Sequence, residues 1–242
     1  MKKCPLFTSI AIILFSLSNI YGQENLTFTV NGVSFNMIYV EGGTFVMGCT
    51  AEQGSCFPEE RPAHTVTLTD FFMGEFEVTQ KLWKAIMGTN LRHLWLSYAT
   101  ENREYWAKVT EITKRIAPDV YIHFGPTTNT FDVTRRNNWV EDWTVPLFAE
   151  QFTKAIPLNG EGEYYPVYFI SYNECELFCT RLNELLADQL PEGYKFKIPT
   201  EAQWEYAARG GKMSQGYQFC GSDIVGEVAW YDVNSEKTAH EV

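Results

Sequence analysis

Apolar and polar positions alternate with period two over Thr27-Phe28-Thr29-Val30 and again over Val33 to Val40, with Asn31-Gly32 between the runs. A two-residue Asn-Gly connection selects the type I′ turn that matches the twist of a hairpin. Glu41-Gly42-Gly43 is a second turn, leading to a strand over Thr44 to Gly48. A polar loop, Cys49 to Pro62, precedes strands expected over Thr65 to Leu68 and Phe72 to Val78. The period then becomes helical. Leu82, Trp83, Ile86 and Met87 share one face of a helix over Gln80 to Met87, with Thr79 as cap and Gly88 as stop. Ser171 and Glu174 form a capping box for a helix to about Ala187, with Cys175, Phe178, Leu182 and Leu185 as its buried stripe. Pro191-Glu192-Gly193 is a turn and Lys195 to Ile198 a strand. Thr200 and Gln203 then box the start of a two-turn helix that Gly210-Gly211 ends. A helix this short does not stand alone, so Trp204 and Tyr206-Ala207-Ala208 are expected to pack against something larger.

Two stretches fall outside this rhythm. Lys2 and Lys3 precede an apolar run, Leu6 to Leu17, and Gly22 is a small residue before a cleavage point that would leave Gln23 first. That order is a secretory leader over residues 1–22; an uncleaved anchor is the other reading. The run is short for a membrane span. Between the first helix and Pro166, about 91–163 is aromatic-rich, with Trp95, Tyr98, Tyr105, Trp106, Tyr121, Phe131, Trp139 and Trp143. Tyr98 to Ile116 is read as helical and Pro126 to Arg136 as turn-rich. Its aromatics either pack this segment or form a platform for sugar rings or a protein partner; Trp139 and Trp143 are the candidates for such a platform.

The run Pro199-Thr200-Glu201-Ala202-Gln203-Trp204-Glu205-Tyr206-Ala207-Ala208-Arg209-Gly210-Gly211 resembles the most recognisable segment of the formylglycine-generating enzyme family, also called the sulfatase-modifying-factor domain. Other segments match in order: Gly42-Gly43-Thr44-Phe45-Val46-Met47-Gly48, Glu59 to Leu68, Glu77-Val78-Thr79-Gln80 with Trp83, and Pro166-Val167 through Ser171-Tyr172-Asn173-Glu174. The likeness covers Met37 to about Gly88 and Tyr165 to Val242. It implies an α+β, C-type-lectin-like fold with little regular secondary structure, here incomplete at the C-terminus, and makes 91–163 an insertion within a domain running over 23–242. The family reaction oxidises a sulfatase cysteine to formylglycine on copper held by two cysteine thiolates in an Arg-Gly-Gly-Ser segment. That segment is absent here, as is the Gly-Asn-Val-Trp-Glu-Trp segment that helps hold calcium. At the place of another calcium ligand stands Trp230. Copper and calcium are therefore implied by the family with their main ligands missing; no catalytic or cofactor-binding residue carries over, and any metal site is unknown.

Composition narrows the partners. Nineteen Lys and Arg against thirty Asp and Glu give a net charge of −11, which excludes a nucleic-acid surface built on clustered cations. Of six cysteines, Cys4 lies in the leader. Cys49 and Cys56 bracket a loop with Gly54 and are the expected disulfide of an exported protein. Cys175 and Cys179, one helical turn apart, suit core packing. The resemblance implies that Cys179 pairs with a cysteine that would lie beyond Val242. Arg209 is expected to pair with an acid or with helix-end carbonyls, His64 to start a strand, Glu75 and Glu77 to share a strand face, and Asp223, Glu227 and Asp232 to be solvated loop carboxylates.

Three functions stand at this point. The first is an exported family member in the periplasm, cell envelope or medium, a fragment inactive as it stands, its partner a sulfatase. The second is a non-catalytic module for a glycan or another exported protein. The third is a remnant that folds poorly.

Overall fold

The computed structural model describes residues 11–15, 24–54, 56–95, 111, 120–124, 131–135, 138–139 and 158–242. The chain divides into two units, one of residues 1–88 with 160–242 and the other of 89–159.

In the first unit Leu26–Val30 (β2) and Val33–Val40 (β3) form the expected hairpin, paired from Leu26↔Met37 to Val30↔Val33. Asn31 and Gly32, at φ 47° and 78°, make its turn with the two positive angles that type I′ requires. Phe71–Gly74 (β6) pairs with the far end of β3. The remaining neighbour of β6 is Ile13–Phe15 (β1), which lies between β6 and Lys195–Lys197 (β10). The sheet order is thus β10-β1-β6-β3-β2, antiparallel throughout. A central strand is covered on both faces, and Ile12, Ile13 and Leu14 are at most 2% exposed. At about 1.5–3 kcal/mol for each large apolar side chain buried, any segment that fills this position gains several kcal/mol. Part of the stretch with a leader's composition therefore forms an inner strand, second from the β10 edge.

The sheet curls strongly. Four strand spacings of about 4.8 Å separate β2 from β10 along a flat sheet, yet the rings of Phe28 on β2 and Phe196 on β10 lie 5.2 Å apart, edge to face. Phe35 of β3 closes the cluster at 5.7 and 5.9 Å from those two rings.

Gly43–Met47 (β4) and His64–Leu68 (β5) pair as a second, two-stranded sheet. The loop joining them carries the Cys49–Cys56 disulfide. By chain entropy a loop of this length is worth about 2.5 kcal/mol.

Three principal helices cover the sheets. Gln80–Met87 (α1) has Thr79 Oγ1 accepting from the Leu82 N–H and Gly88 in the left-handed region as its stop. Tyr172–Leu185 (α2) opens on the expected Ser171–Glu174 box. Glu201–Ala208 (α3) opens on the Thr200–Gln203 box and stops at Gly210, φ 89°. Trp83 of α1 stacks on Phe178 of α2, with centroids 5.3 Å apart.

Burial corrects two expectations. On α2 the inner stripe is Phe178, Cys179, Leu182 and Leu186, whereas Leu185 is 48% exposed and Cys175 partly covered. On α3 it is Tyr206 and Gln203 that are buried, and Trp204 is 57% exposed. Two residues advance a helix by about 200°, so a helix that turns Tyr206 inward must turn Trp204 out. One strand also differs. The strand expected over Phe72 to Val78 stops at Gly74, so Glu75 and Glu77 lie in a bend and share no strand face.

In the second unit Val120–Phe124 (β7), Phe131–Arg135 (β8) and Asn138–Trp139 (β9) form an antiparallel sheet in chain order. A strand thus occupies most of the end of the stretch read as turn-rich. Trp139 is placed at a register position, opposite Thr134. Trp143, the stretch Tyr98 to Ile116 read as helical apart from Glu111, and most of the leader lie outside the described residues.

Candidate functional site

The matching sequence segments converge in two places. The first is built on Gly48. Its φ of +97° is one that side-chain-bearing residues rarely adopt, and a Cβ there would meet the Glu60 carbonyl at 2.5 Å. Its N–H donates to Glu205 Oε1 at 2.9 Å and its carbonyl accepts from Arg209 Nη2 at 2.8 Å. Arg209 also pairs with Glu205 at 2.8 Å and donates to Thr50 Oγ1 at 2.9 Å. Arg209 thus ties α3 to the disulfide loop, the structural role expected of it. Glu52 stands 3.4 Å from the same guanidinium, and its own backbone and Thr50 hold its carboxyl below the usual range, with Arg209 adding to the effect. Tyr206 donates to the Glu41 carbonyl at 3.0 Å, and Gly42 donates to Asp70, which also accepts from Tyr39 at 2.8 Å. These groups hold backbone and one another, and the depression beside them, lined by Cys49, Thr50, Arg61 and Ala63, is open to solvent.

The second convergence does leave a concavity. Val167 N–H donates to the Val78 carbonyl and Gln80 N–H to the Tyr165 carbonyl, at 2.9 and 2.8 Å, so the Glu77–Gln80 and Pro166–Val167 segments run side by side. The Gln80 side chain binds the Gly160 and Pro166 carbonyls and the Gly162 N–H. Beside them opens a groove of about 370 Å³, lined by Gly32 to Asn36, Gly74 to Thr79, Lys81, Leu82, Tyr164, Val242 and Ile12. Its rim mixes exposed aromatics, Phe76 and Tyr164, with the carboxylates Glu75 and Glu77. Asn36 Nδ2 donates to Glu75 Oε2 at 2.8 Å, and Asn36 Oδ1 accepts from Thr27 Oγ1 at 2.8 Å. Lys81 pairs with Glu163 at 2.7 Å and lies 5.4 Å from the Tyr164 ring centre; the Glu163 carboxylate raises its pKa. The groove ends at Ile12, whose carbonyl accepts from Gly74 N–H at 2.9 Å. It is therefore the mouth of the seat that holds β1.

A thiolate metal site does not fit the described cysteines. Cys49 and Cys56 are joined, at a Cα separation of 5.7 Å. Burial pushes the Cys175 thiol up to about 11 and the Cys179 thiol up to about 12, and Cys179 is buried on the inner stripe of α2. Cys220 is exposed. Among the described residues no three His, Cys, Asp or Glu side chains gather as a metal site. The acids near the implied calcium position serve turns: Asp223 accepts from Gln218 N–H and Glu227 from Ser222 Oγ. Trp230 stacks on His240 with centroids 3.9 Å apart. His64 starts β5, its Nδ1 3.2 Å from the Pro62 carbonyl oxygen.

Sequence reasoning missed Asn183 and Gln189. Asn183 accepts from Phe196 N–H at 2.8 Å and donates to its carbonyl at 3.0 Å. Gln189 does the same at Thr29, at 3.3 and 2.9 Å. Each amide mimics one residue of a further strand, so each outer edge of the five-stranded sheet is capped at one residue. Neither residue carried a signal, because the match arises only once the end of α2 lies against both edges.

Residues 27–240 match the Sulfatase-modifying factor enzyme 1-like domain. Among curated proteins the chain is 28% identical to "Chaperone protein LppX" of Paenibacillus barcinonensis, over 97% of this chain and 65% of that one. It is 27% identical to the formylglycine-generating enzyme of Thermomonospora curvata, over 74% and 50%. It is also 27% identical to "Inactive C-alpha-formylglycine-generating enzyme 2" of Bos taurus, over 77% and 53%. The chain thus spans about half to two thirds of the length of these relatives. The solved structure of Treponema denticola variable protein 1 shares the fold, with a TM-score of 0.51 at 22% identity over 90% of this chain and 68% of that one. No described helix is long and apolar enough to cross a membrane.

Proposed function

Because this chain belongs to the sulfatase-modifying-factor domain family, that of the formylglycine-generating enzymes, we propose that it is an exported, non-catalytic member that holds another exported polypeptide. The observation that carries this reading is the state of the thiols. The copper chemistry of the family needs a pair of accessible thiolates, and the described cysteines supply a disulfide, one half-covered and one buried helix thiol, and one exposed thiol. No oxidative step is therefore derived. What the geometry offers instead is recognition: a groove with apolar walls, two carboxylates and two exposed rings.

Two relatives support a binding role. One named a chaperone matches nearly the whole chain, and one named inactive matches three quarters of it. Export is supported by the leader-like composition of residues 1–22 and by the Cys49–Cys56 bridge, since disulfides persist in oxidising compartments. The family points to a sulfatase as the first polypeptide to try.

The test sets the two activities side by side. An exported sulfatase is refolded with and without the chain, and a peptide bearing Cys-x-Pro-x-Arg is incubated with the chain, copper and oxygen. The expected result is a higher yield of soluble sulfatase and no conversion of the peptide thiol to an aldehyde by mass spectrometry. Aldehyde formation, or an unchanged sulfatase yield, overturns the proposal.

A further inference from the structure

We propose that the seat between β6 and β10 is a strand-acceptor site, and that it takes an extended apolar segment of a second polypeptide when β1 is withdrawn. The inference rests on the binding role just proposed and names the chemistry of what is bound.

The sheet itself shows what fits. β1 pairs antiparallel with both neighbours, Ile13 opposite Lys197 and Met73, Leu14 opposite Phe196 and Phe72. Its residues are apolar without alternation, as a strand covered on both faces requires. Ile13 packs in a cluster with Phe71 and Tyr206, and Leu14 is wholly buried. With β1 gone, two facing rows of backbone donors and acceptors would stand about 10 Å apart, twice the strand spacing. Backbone groups in that state are costly to leave unpaired, so an incoming strand gains hydrogen bonds on both sides.

No other place in this sheet offers the same. A strand normally adds at an outer edge, but Gln189 covers Thr29 at one edge and Asn183 covers Phe196 at the other. The centre is held only by a segment whose composition is that of a removable leader. The mouth of the seat adds a preference. Glu75 and Glu77 line the groove at the Ile12 end, so a basic residue on the N-terminal side of the incoming strand meets carboxylates. The favoured ligand is an extended polypeptide segment with a basic residue followed by three or four apolar ones.

The experiment uses the full chain with a protease site placed between positions 17 and 22. After cutting, the resident segment is held without a covalent link. Mild urea followed by dialysis lets it exchange against a fluorescent peptide of residues 11–16 flanked by lysines. The expected result is a saturable rise in anisotropy with the cut chain and little with the uncut chain, whose tethered segment competes at high effective concentration. Gly74 N–H bonds Ile12, so alternation makes Leu14 and Phe72 the next hydrogen-bonded pair. A Leu14→Pro peptide, lacking that donor, should bind at least about tenfold more weakly. Equal uptake of the proline peptide, equal uptake by the uncut chain, or no uptake after exchange overturns the proposal. A chain that takes up no peptide yet still raises sulfatase yield leaves the binding role standing and removes only the seat.

Discussion

Arg209 and Glu205 close a ring with Gly48 in which a backbone N–H, a backbone carbonyl, a carboxylate and a guanidinium satisfy one another. Replacing Arg209 by Ala leaves the Gly48 carbonyl and the Glu205 carboxylate without their cation. The expected loss is about 2–3 kcal/mol, read from chemical denaturation. Arg209→Lys should recover less than half of it, because an ammonium cannot reproduce the fork. A second residue sets a pH dependence. Burial, reinforced by its bond to Asp70, pushes the Tyr39 hydroxyl up to about 12 from 10.0. The folded state thus holds this proton more tightly than the unfolded chain. The resulting stability is fully present below pH 10 and is lost as pH rises from 10 toward 12. Thermal midpoints measured across that window should fall, and Tyr39→Phe should fall less steeply. Cys175 and Cys179, also raised, act in the same direction and remain in the variant.

At the scale of elements, the ends of the sheet are decided by helix α2 and the turn that follows it. Asn183 and Gln189 each bind the donor and the acceptor of one edge residue, which blunts edges that would otherwise recruit another chain. Asn183→Leu and Gln189→Leu keep side-chain size and remove the amides. Asn183→Leu, at a part-buried site, is expected to cost about 1–2 kcal/mol, the desolvation of one donor and one acceptor, and Gln189→Leu, where water replaces the lost bonds, less than about 1 kcal/mol. The double variant should also shift to larger species in light scattering. A monodisperse double variant would show that the amides are ornamental to association. The capping boxes at Ser171 and Thr200 were legible from four residues each, because a cap is a local event. The faces of the helices were less so. Leu185 and Trp204 are both apolar, and periodicity alone gave no reason to turn them outward; the neighbours of Leu186 and Tyr206 did.

At the scale of the molecule, the two units give a direct prediction. Replacing Thr89–Asn159 by a short glycine-serine linker should leave the first unit folded, with a single cooperative transition within about 4 °C of the parent, a change of about 1 kcal/mol. A broad or absent transition would show that the first unit does not stand without the second. The family, the hairpin, the disulfide and the capped helices follow from the sequence alone, since each rests on residues close in the chain or on an ordered set of segments. Convergence of those segments on Gly48 and on Gln80, the curl that brings Phe28 to Phe196, and the capping of both edges were decided only by tertiary structure, because the groups involved are up to 168 positions apart. The N-terminal run shows the limit most plainly. Ile12-Ile13-Leu14 has the composition of a leader and equally that of a strand buried on both faces, and a short apolar run looks the same in either role. In the full chain β6 and β10 supply the two antiparallel neighbours that make it a strand, and neither neighbour can be read from the run itself.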